Sequence, residues 1–357
     1  MKILITGNMG YVGPRVVNRL RNSYPNAKLI GYDMGYFGTC LTNASVLPES
    51  KLDMQYYGDV RDMPPELLYG VDAVVHLAAI SNDPMGLKYE EVTFNVNYRS
   101  SIKLAEMAKE AGVRSFIFAS SCSMYGESGE DVKTEASTLN PLTAYARSKV
   151  LTEEGLSQLV DDGFTVTCLR FATACGMSER LRLDLVLNDF VASAVATGTV
   201  QILSDGSPWR PLIHVNDMAK AIDWAIDRWP ENGGAFLAVN AGSDTWNYRV
   251  IELAGMVADI IPGVTVSLNR EAAPDKRSYR VSFERYKTLA PYYQPSYTLA
   301  STIEELADNL RQMAFKDAHF RNSKLMRLQM LNYLQETDEI NSELEWQQKM
   351  QKVWAES

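Results

Sequence analysis

The sequence predicts an α/β fold: a doubly wound parallel sheet with helices on both faces, followed by a smaller C-terminal lobe. Three observations carry this. An apolar strand runs straight into a glycine-spaced turn and a helix within the first 20 residues, β-type runs then alternate with helical patterns as far as Phe171, and the rhythm changes afterwards.

Residues 2–6 (KILIT) form the first strand, and 14–20 (PRVVNRL) repeat apolar residues at helical spacing. Between them TGNMGYVG sets glycines at 7, 10 and 13. Gly7 permits a tight bend, Gly10 lets a pyrophosphate approach the backbone, and Gly13 lets helix and strand pack closely. Pro14 suits the first helical turn, whose unbonded N–H groups and positive dipole end favour an anion. Residues 28–32 (KLIGY) form a second strand. Asp33 stands at its end, 20 residues after Gly13, where a carboxylate meets the adenosine ribose hydroxyls and repels a 2′-phosphate. The expected cofactor is therefore NAD rather than NADP. Asp59 and Val60 are expected to close a third strand and contact adenine. Residues 72–80 (DAVVHLAAI) are expected to form a fourth, ending in small residues that pass under a cofactor. A helix over 100–111, a strand over 114–119, a helix over 144–160 and a strand over 164–171 complete a first domain of residues 1–170.

A helix near 184–197, a strand near 200–203, the loop DGSPWRPLIH and a helix near 216–229 follow. Residues 171–315 are thus expected to form a substrate-binding lobe, with returns to the first domain near 213–240. The remainder, 316–357, reads as a helical extension with Leu325, Leu328, Leu331 and Leu334 at spacing three. It either packs on its own body or serves as a lid or dimer arm, and a homodimer is the expected assembly.

Of 357 residues, 46% are hydrophobic and 22% charged, enough for a large core or two lobes. A formal net charge of −9 disfavours both a nucleic-acid footprint and a polybasic membrane surface, so an anionic substrate needs local arginines. Cys40, Cys122, Cys168 and Cys175 lack metal-ligand spacing, and no metal is expected. Free thiols fit a reducing compartment. The first apolar run is too short for a signal peptide and no segment approaches a membrane span. A cytoplasmic protein without membrane or nucleic-acid partners is the expectation.

Tyr145 and Lys149, in AYARSK, lie four apart on a helix and project from one face. Ser121 ends a strand 24 residues before the tyrosine. A phenol with an ordinary pKa near 10 needs cationic neighbours to act as a base near neutrality. Lysine and an oxidised nicotinamide supply them, and Ser121 hydrogen-bonds the same substrate oxygen. Cys122, beside Ser121, is read either as a further acid or base or as a buried small residue. His76 is expected in the core and His214 in a structural role.

TGNMGYVG, Asp33, GDVRD, HLAA, Asn97, SSCSMYG and YARSK together resemble the extended short-chain dehydrogenase/reductases, the nucleotide-sugar epimerase/dehydratase family, to about residue 315. The resemblance implies a Rossmann-type domain in which Gly7, Met9, Gly10, Tyr11, Val12, Gly13, Asp33, Asp59, Val60, Leu77, Ala78, Ala79 and Asn97 contact NAD together with Tyr145 and Lys149. It implies Tyr145 as base, Lys149 on the nicotinamide ribose and Ser121 on the reacting hydroxyl. Thr173 falls where the family commonly has an asparagine on the sugar diphosphate. Asn188 matches an asparagine of the next helix, and Arg210 resembles the diphosphate-binding arginine. Arg277 is a further candidate, although the usual Arg-Pro-Gly-Asp is not reproduced, and Ser81 and Ser123 complete the implied substrate contacts. Ser100-Ser101 replaces the usual Gly-Thr after Asn97, and Cys175 replaces a strand-end tyrosine. Ser123 stands where 4,6-dehydratases carry an acid, which points away from dehydration. The implied activity is epimerisation of a nucleotide-diphosphate sugar through a transient keto-sugar. The alternatives are a keto-reductase or dehydrogenase, a dehydratase, and an NAD-sensing protein without turnover.

Overall fold

The computed structural model describes residues 1–269 and 277–347. Strands β1 (Lys2–Thr6), β2 (Lys28–Asp33), β3 (Met54–Tyr57), β4 (Ala73–His76) and β5 (Ser115–Ser121) join Thr165–Phe171 and Phe236–Ala241 in one seven-stranded sheet. All its pairings are parallel, in the order 236–241, 165–171, β5, β4, β1, β2, β3. The chain starts in the middle and winds outward in both directions, so a crevice opens beyond the C-terminal ends of β1 and β4. Successive side chains of β1 alternate between two cores, Ile3 and Ile5 in one and Leu4 in the other, as a sheet covered on both faces requires.

Helix α1 (Gly13–Ser23) carries Pro14 in its first turn and buries Val16, Val17 and Leu20 against the sheet. The helix Ala144–Ser157 is capped by Thr143, whose hydroxyl accepts from the Ala146 N–H at 3.1 Å. Beyond the main sheet, Trp209–His214 lies between Thr173–Cys175 and Asn247–Arg249, and Thr199–Ile202 pairs with Thr265–Leu268. Among the described residues, no helix is long and apolar enough to cross a membrane.

Four sequence expectations are corrected. The third strand ends at Tyr57, and Asp59 instead caps the 3-10 turn Val60–Asp62 by accepting from the Arg61 N–H at 2.9 Å. The fourth strand ends at His76, opposite Thr6, the last residue of β1. The expected loop around residue 210 contains the strand Trp209–His214. Pro211 falls where this strand changes partner, Asn247 on one side and then Thr173 beside Leu212, so its missing N–H breaks no continuous ladder. The strand predicted over 164–171 begins one residue later, at Thr165. The extension packs on its own body: Met330, Leu331 and Leu334 of the helix Arg327–Glu336 join Cys40, Ile80, Met85 and Tyr89 in a separate apolar cluster. Residues 348–357 of the extension, and 270–276 of the second lobe, lie outside the described residues.

Candidate active site

A cavity of about 840 Å³ occupies the crevice and runs between the two lobes. Gly7, Gly10, Tyr11, Val12, Gly13, Asp33, Asp59, Val60, Leu77, Ala78 and Ala79 line one part of it, and Ser81, Ser121, Ser123, Tyr145, Lys149, Thr173, Arg210 and Arg277 the rest.

The three glycines of the first turn differ in what surrounds them. Gly7 has φ +74°, and a Cβ there would lie 2.5 Å from the Ala78 nitrogen. A Cβ on Gly13 would lie 2.0 Å from the Asn8 carbonyl oxygen, so this position is closed by packing. A Cβ on Gly10 would meet nothing nearer than the Gly7 carbonyl at 3.2 Å, leaving the space above it to a ligand. Asp33 accepts from the Met9 N–H at 2.9 Å and the Gly35 N–H at 2.7 Å, while burial pushes its carboxyl above the usual range. An open backbone cradle at Gly10 and a wall carboxylate at Asp33 fit the pyrophosphate and ribose of NAD.

Two of the expected cofactor residues stand behind the wall. Met9 contributes its N–H to Asp33. Asn97 is buried, its amide oxygen accepting from the Ile80 N–H at 2.8 Å and its nitrogen donating to the Ile80 carbonyl at 3.0 Å and to Ser148 at 3.1 Å. It thereby pins the loop after β4 to the helix Ala144–Ser157.

At the other end, Ser121 stands close to Tyr145 and donates to the Ser123 hydroxyl at 2.9 Å. Burial, with the Asp83 carboxylate, pushes the Tyr145 phenol up to about 12, against the nearby Ser121 hydroxyl and the positive charge of Arg182, which pull it down. Lys149 is buried too, and burial brings it down to about 7. Its ammonium donates to the Ala119 carbonyl at 2.7 Å and lies 5.6 Å from the centre of the Tyr145 ring.

Several side chains of this wall escape sequence reasoning. Arg182 is 7% exposed and grips Asp184 through Nε and Nη2, at 2.9 and 3.0 Å, while Nη1 donates to Ser81 at 3.0 Å. Asn82 donates to the same Asp184 carboxylate at 2.5 Å. These contacts hold Asp184 below the usual carboxylate range despite its burial. Asp83 accepts from Arg277 at 2.6 Å and from the Thr143 hydroxyl at 2.7 Å. Arg321 and Arg327 of the extension also reach the wall.

Asn188, expected on the substrate, braces the site from behind. Its oxygen accepts from the Gly176 N–H at 3.0 Å, and its nitrogen donates to the Tyr11 hydroxyl at 3.0 Å and the Arg182 carbonyl at 2.9 Å. Cys122 is fully buried, donates to the Arg170 carbonyl, and its thiol is driven far upward by burial, which leaves the packing reading. His214 caps the helix Val215–Ile226 and bonds Glu305 at 2.7 Å. His76 lies in the core between Thr6 and Ser101, with burial bringing it down to about 3.

Comparison with known proteins agrees with this architecture. Residues 3–242 match the NAD dependent epimerase/dehydratase family. The chain is 27% identical over 341 residues to the UDP-glucose 4-epimerase of Neisseria meningitidis, covering 87% of this chain and 94% of that protein. It is 30% identical over 231 residues to an uncharacterized UDP-glucose epimerase, YtcB, of Bacillus subtilis, covering 62% and 71%. The solved structure of MoeE5 in complex with UDP-glucuronic acid and NAD superposes with a TM-score of 0.74 at 22% identity, over 88% of this chain and 100% of that one. A glycine cradle, a buried wall carboxylate and a Ser–Tyr–Lys constellation thus stand on a fold shared with these proteins, and the chain belongs to the NAD-dependent epimerase/dehydratase family.

Proposed function

We propose that the chain is an epimerase of nucleotide-diphosphate sugars that works through a transient keto-sugar. The observation that carries this reading is the make-up of the reacting end. Ser121 and Tyr145 stand together beside Lys149, while the neighbouring carboxylates Asp83 and Asp184 each hold an arginine. Dehydration calls for an acid able to give its proton to a leaving hydroxyl, and a carboxylate gripped by a guanidinium is poorly suited to that. Position 123, where such an acid stands in dehydratases, is a serine.

Bound NAD supplies a hydride acceptor that gives the hydride back within the same cycle. Tyr145 takes the proton of the sugar hydroxyl as its carbon becomes a carbonyl, and Ser121 holds the oxygen in place. The sugar then presents its other face, and Tyr145 returns the proton to the carbonyl oxygen. Because burial, helped by the Asp83 charge, holds the phenol near 12, this proton transfer depends on positive charge. Arg182 supplies part of it, and the oxidised cofactor the remainder. Arg210, Arg277 and Thr173 are assigned to the sugar diphosphate. The relatives' substrates make UDP-hexoses the first to test.

The test is a panel of UDP-, dTDP-, GDP- and CDP-hexoses incubated with the purified protein and analysed for product configuration. An inverted hexose from at least one donor supports the reading, and NADH formed in step with product transfers it to a dehydrogenase. Tyr145→Phe should lower turnover by about 10²–10⁴-fold while NAD stays bound. Turnover near the wild-type rate would remove Tyr145 from the proton path.

A further inference from the structure

Arg327 opens the helix Arg327–Glu336 of the C-terminal extension and is 1% exposed, yet its side chain belongs to the cavity wall. Its Nη2 donates to the Arg180 carbonyl at 2.7 Å, and the guanidinium lies 4.3 Å from the centre of the Phe37 ring. Among the described residues, Nη1 has no hydrogen-bond partner.

The charge is as poorly answered as the N–H. Arg180, next to it, is held by both oxygens of Glu49, and Arg182 by both oxygens of Asp184. Asp184 is near enough for its field to reach Arg327, but its oxygens are already taken by Arg182 and Asn82. Three guanidinium groups therefore share two carboxylates. The first position of a helix adds the positive end of the backbone dipole, where a cation is disfavoured. Burial and the neighbouring Arg182 accordingly bring Arg327 down to about 10. A buried cation so placed is costly unless an anion joins it.

On the side away from Asp184 its surroundings belong to the cofactor half of the cavity. Phe37 lies in the loop that follows Asp33, its carbonyl accepts from Arg180 at 3.3 Å, and the Arg180 charge is felt at Asp33. The glycine turn offers N–H groups but no cation of its own: Arg15, the nearest in sequence, donates to the Met177 carbonyl at 3.1 Å and pairs with Glu179. Of the other arginines in the wall, Arg182, Arg277 and Arg321 are bonded to Asp184, Asp83 and Asp189, and Arg210 stands in the second lobe. We propose that Arg327 is a cofactor-binding residue contributed by the C-terminal extension: its unbonded Nη1 and incompletely answered charge take the pyrophosphate of NAD, and the segment that carries it straps the cofactor cleft.

The strap itself is built. Leu344, in the wall, accepts through its carbonyl from the Tyr36 hydroxyl; the Trp346 indole N–H donates to the Met34 carbonyl at 2.7 Å; and Arg61, paired with Asp59, donates to the Glu343 carbonyl at 3.0 Å. Met34, Tyr36 and Asp59 all line the cavity.

The test uses the full chain with two substitutions. Arg327→Gln keeps an N–H donor for the Arg180 carbonyl but removes the charge, and Arg327→Lys keeps the charge. Titration calorimetry with NAD, ADP, adenosine and UDP is paired with thermal melting in the absence of NAD. Arg327→Gln should weaken NAD and ADP by about tenfold or more, with adenosine and UDP nearly unchanged, and Arg327→Lys should recover most of the loss. The NAD-free melting temperature of Arg327→Gln should stay level or rise, since an unanswered buried charge has gone. NAD affinity near wild type in Arg327→Gln would overturn the proposal. So would a loss confined to UDP, which moves Arg327 to the substrate diphosphate, or a fall in melting temperature that Arg327→Lys does not rescue, which makes the residue purely structural. If Arg327→Gln does not fold, Arg327→Lys decides alone: wild-type NAD affinity that weakens with ionic strength for NAD and ADP but not adenosine upholds the proposal, and an equal salt response for all three overturns it.

Discussion

Lys149 and Tyr145 are displaced in opposite directions by one cause. Burial disfavours the charged form of each, so the lysine falls to about 7 and the tyrosine rises to about 12. For the lysine, the unfolded chain holds a proton above pH 7 that the NAD-free folded protein releases. The stability of the NAD-free protein should therefore rise between about pH 7 and the lysine's ordinary 10.5, with the burial penalty complete below that window. Lys149→Met should remove this slope, which amounts to at most about 1.4 kcal/mol per pH unit. Denaturant unfolding of both proteins at pH 7, 8 and 9 checks it, and parallel curves would place Lys149 in a solvated setting. Arg210→Ala should cost roughly 2–4 kcal/mol of UDP binding and leave NAD binding unchanged, as calorimetry with each ligand will tell. Residues of this kind were readable because the turn, the Tyr-Lys spacing and the acid after β2 are local patterns. Arg182 and Asp184 were not. In RLRLDL charges alternate with leucines, as on an exposed strand, and the fold alone reveals a buried loop with both arginine and aspartate turned to the cavity.

The helix that carries Tyr145 and Lys149 is fastened from below. Glu153, one turn after Lys149, receives Nε and Nη2 of Arg170 from the strand Thr165–Phe171, at 2.6–3.1 Å, and the Ser120 hydroxyl at 2.6 Å. Arg170 continues to Tyr125, and Tyr125 to Asn240 on the edge strand Phe236–Ala241. Both charges are buried, so removing one partner strands the other. Glu153→Gln should destabilise the fold by about 3–5 kcal/mol in denaturant unfolding, and adding Arg170→Met should recover part of that loss. A cost near zero for the single change would mean that the pair is solvated. The strands of the main sheet and the helices after Gly13, Ser100 and Ala144 followed from sequence periodicity, the helices Asp83–Lys88 and Glu90–Phe94 did not, and the ends of elements depended on partners. β4 stops where β1 stops, and Pro211 concealed a strand that is tolerated because it changes neighbours there.

Across the molecule, the cavity joins three stretches of chain that are far apart in sequence: the glycine turn, the Tyr-Lys helix with its arginine-held carboxylates, and the extension. Leucines at spacing three announced a helix near residue 330 but not the surface it would cover, since that surface is assembled from Cys40, Ile80, Met85 and Tyr89. In the proposed cycle NAD is a resident group, regenerated at every turnover, and a strapped cleft suits retention better than exchange. The fate of the hydrogen on the inverted carbon bears most directly on that cycle. The protein with its bound NAD, and no cofactor added, is given the nucleotide sugar that turns over, deuterated at the carbon that inverts, and the product is followed by NMR. The account predicts an inverted hexose that keeps its deuterium, with no accumulation of NADH. Deuterium lost to water, NADH rising in step with product, or a deoxy-keto sugar as the end product would contradict it.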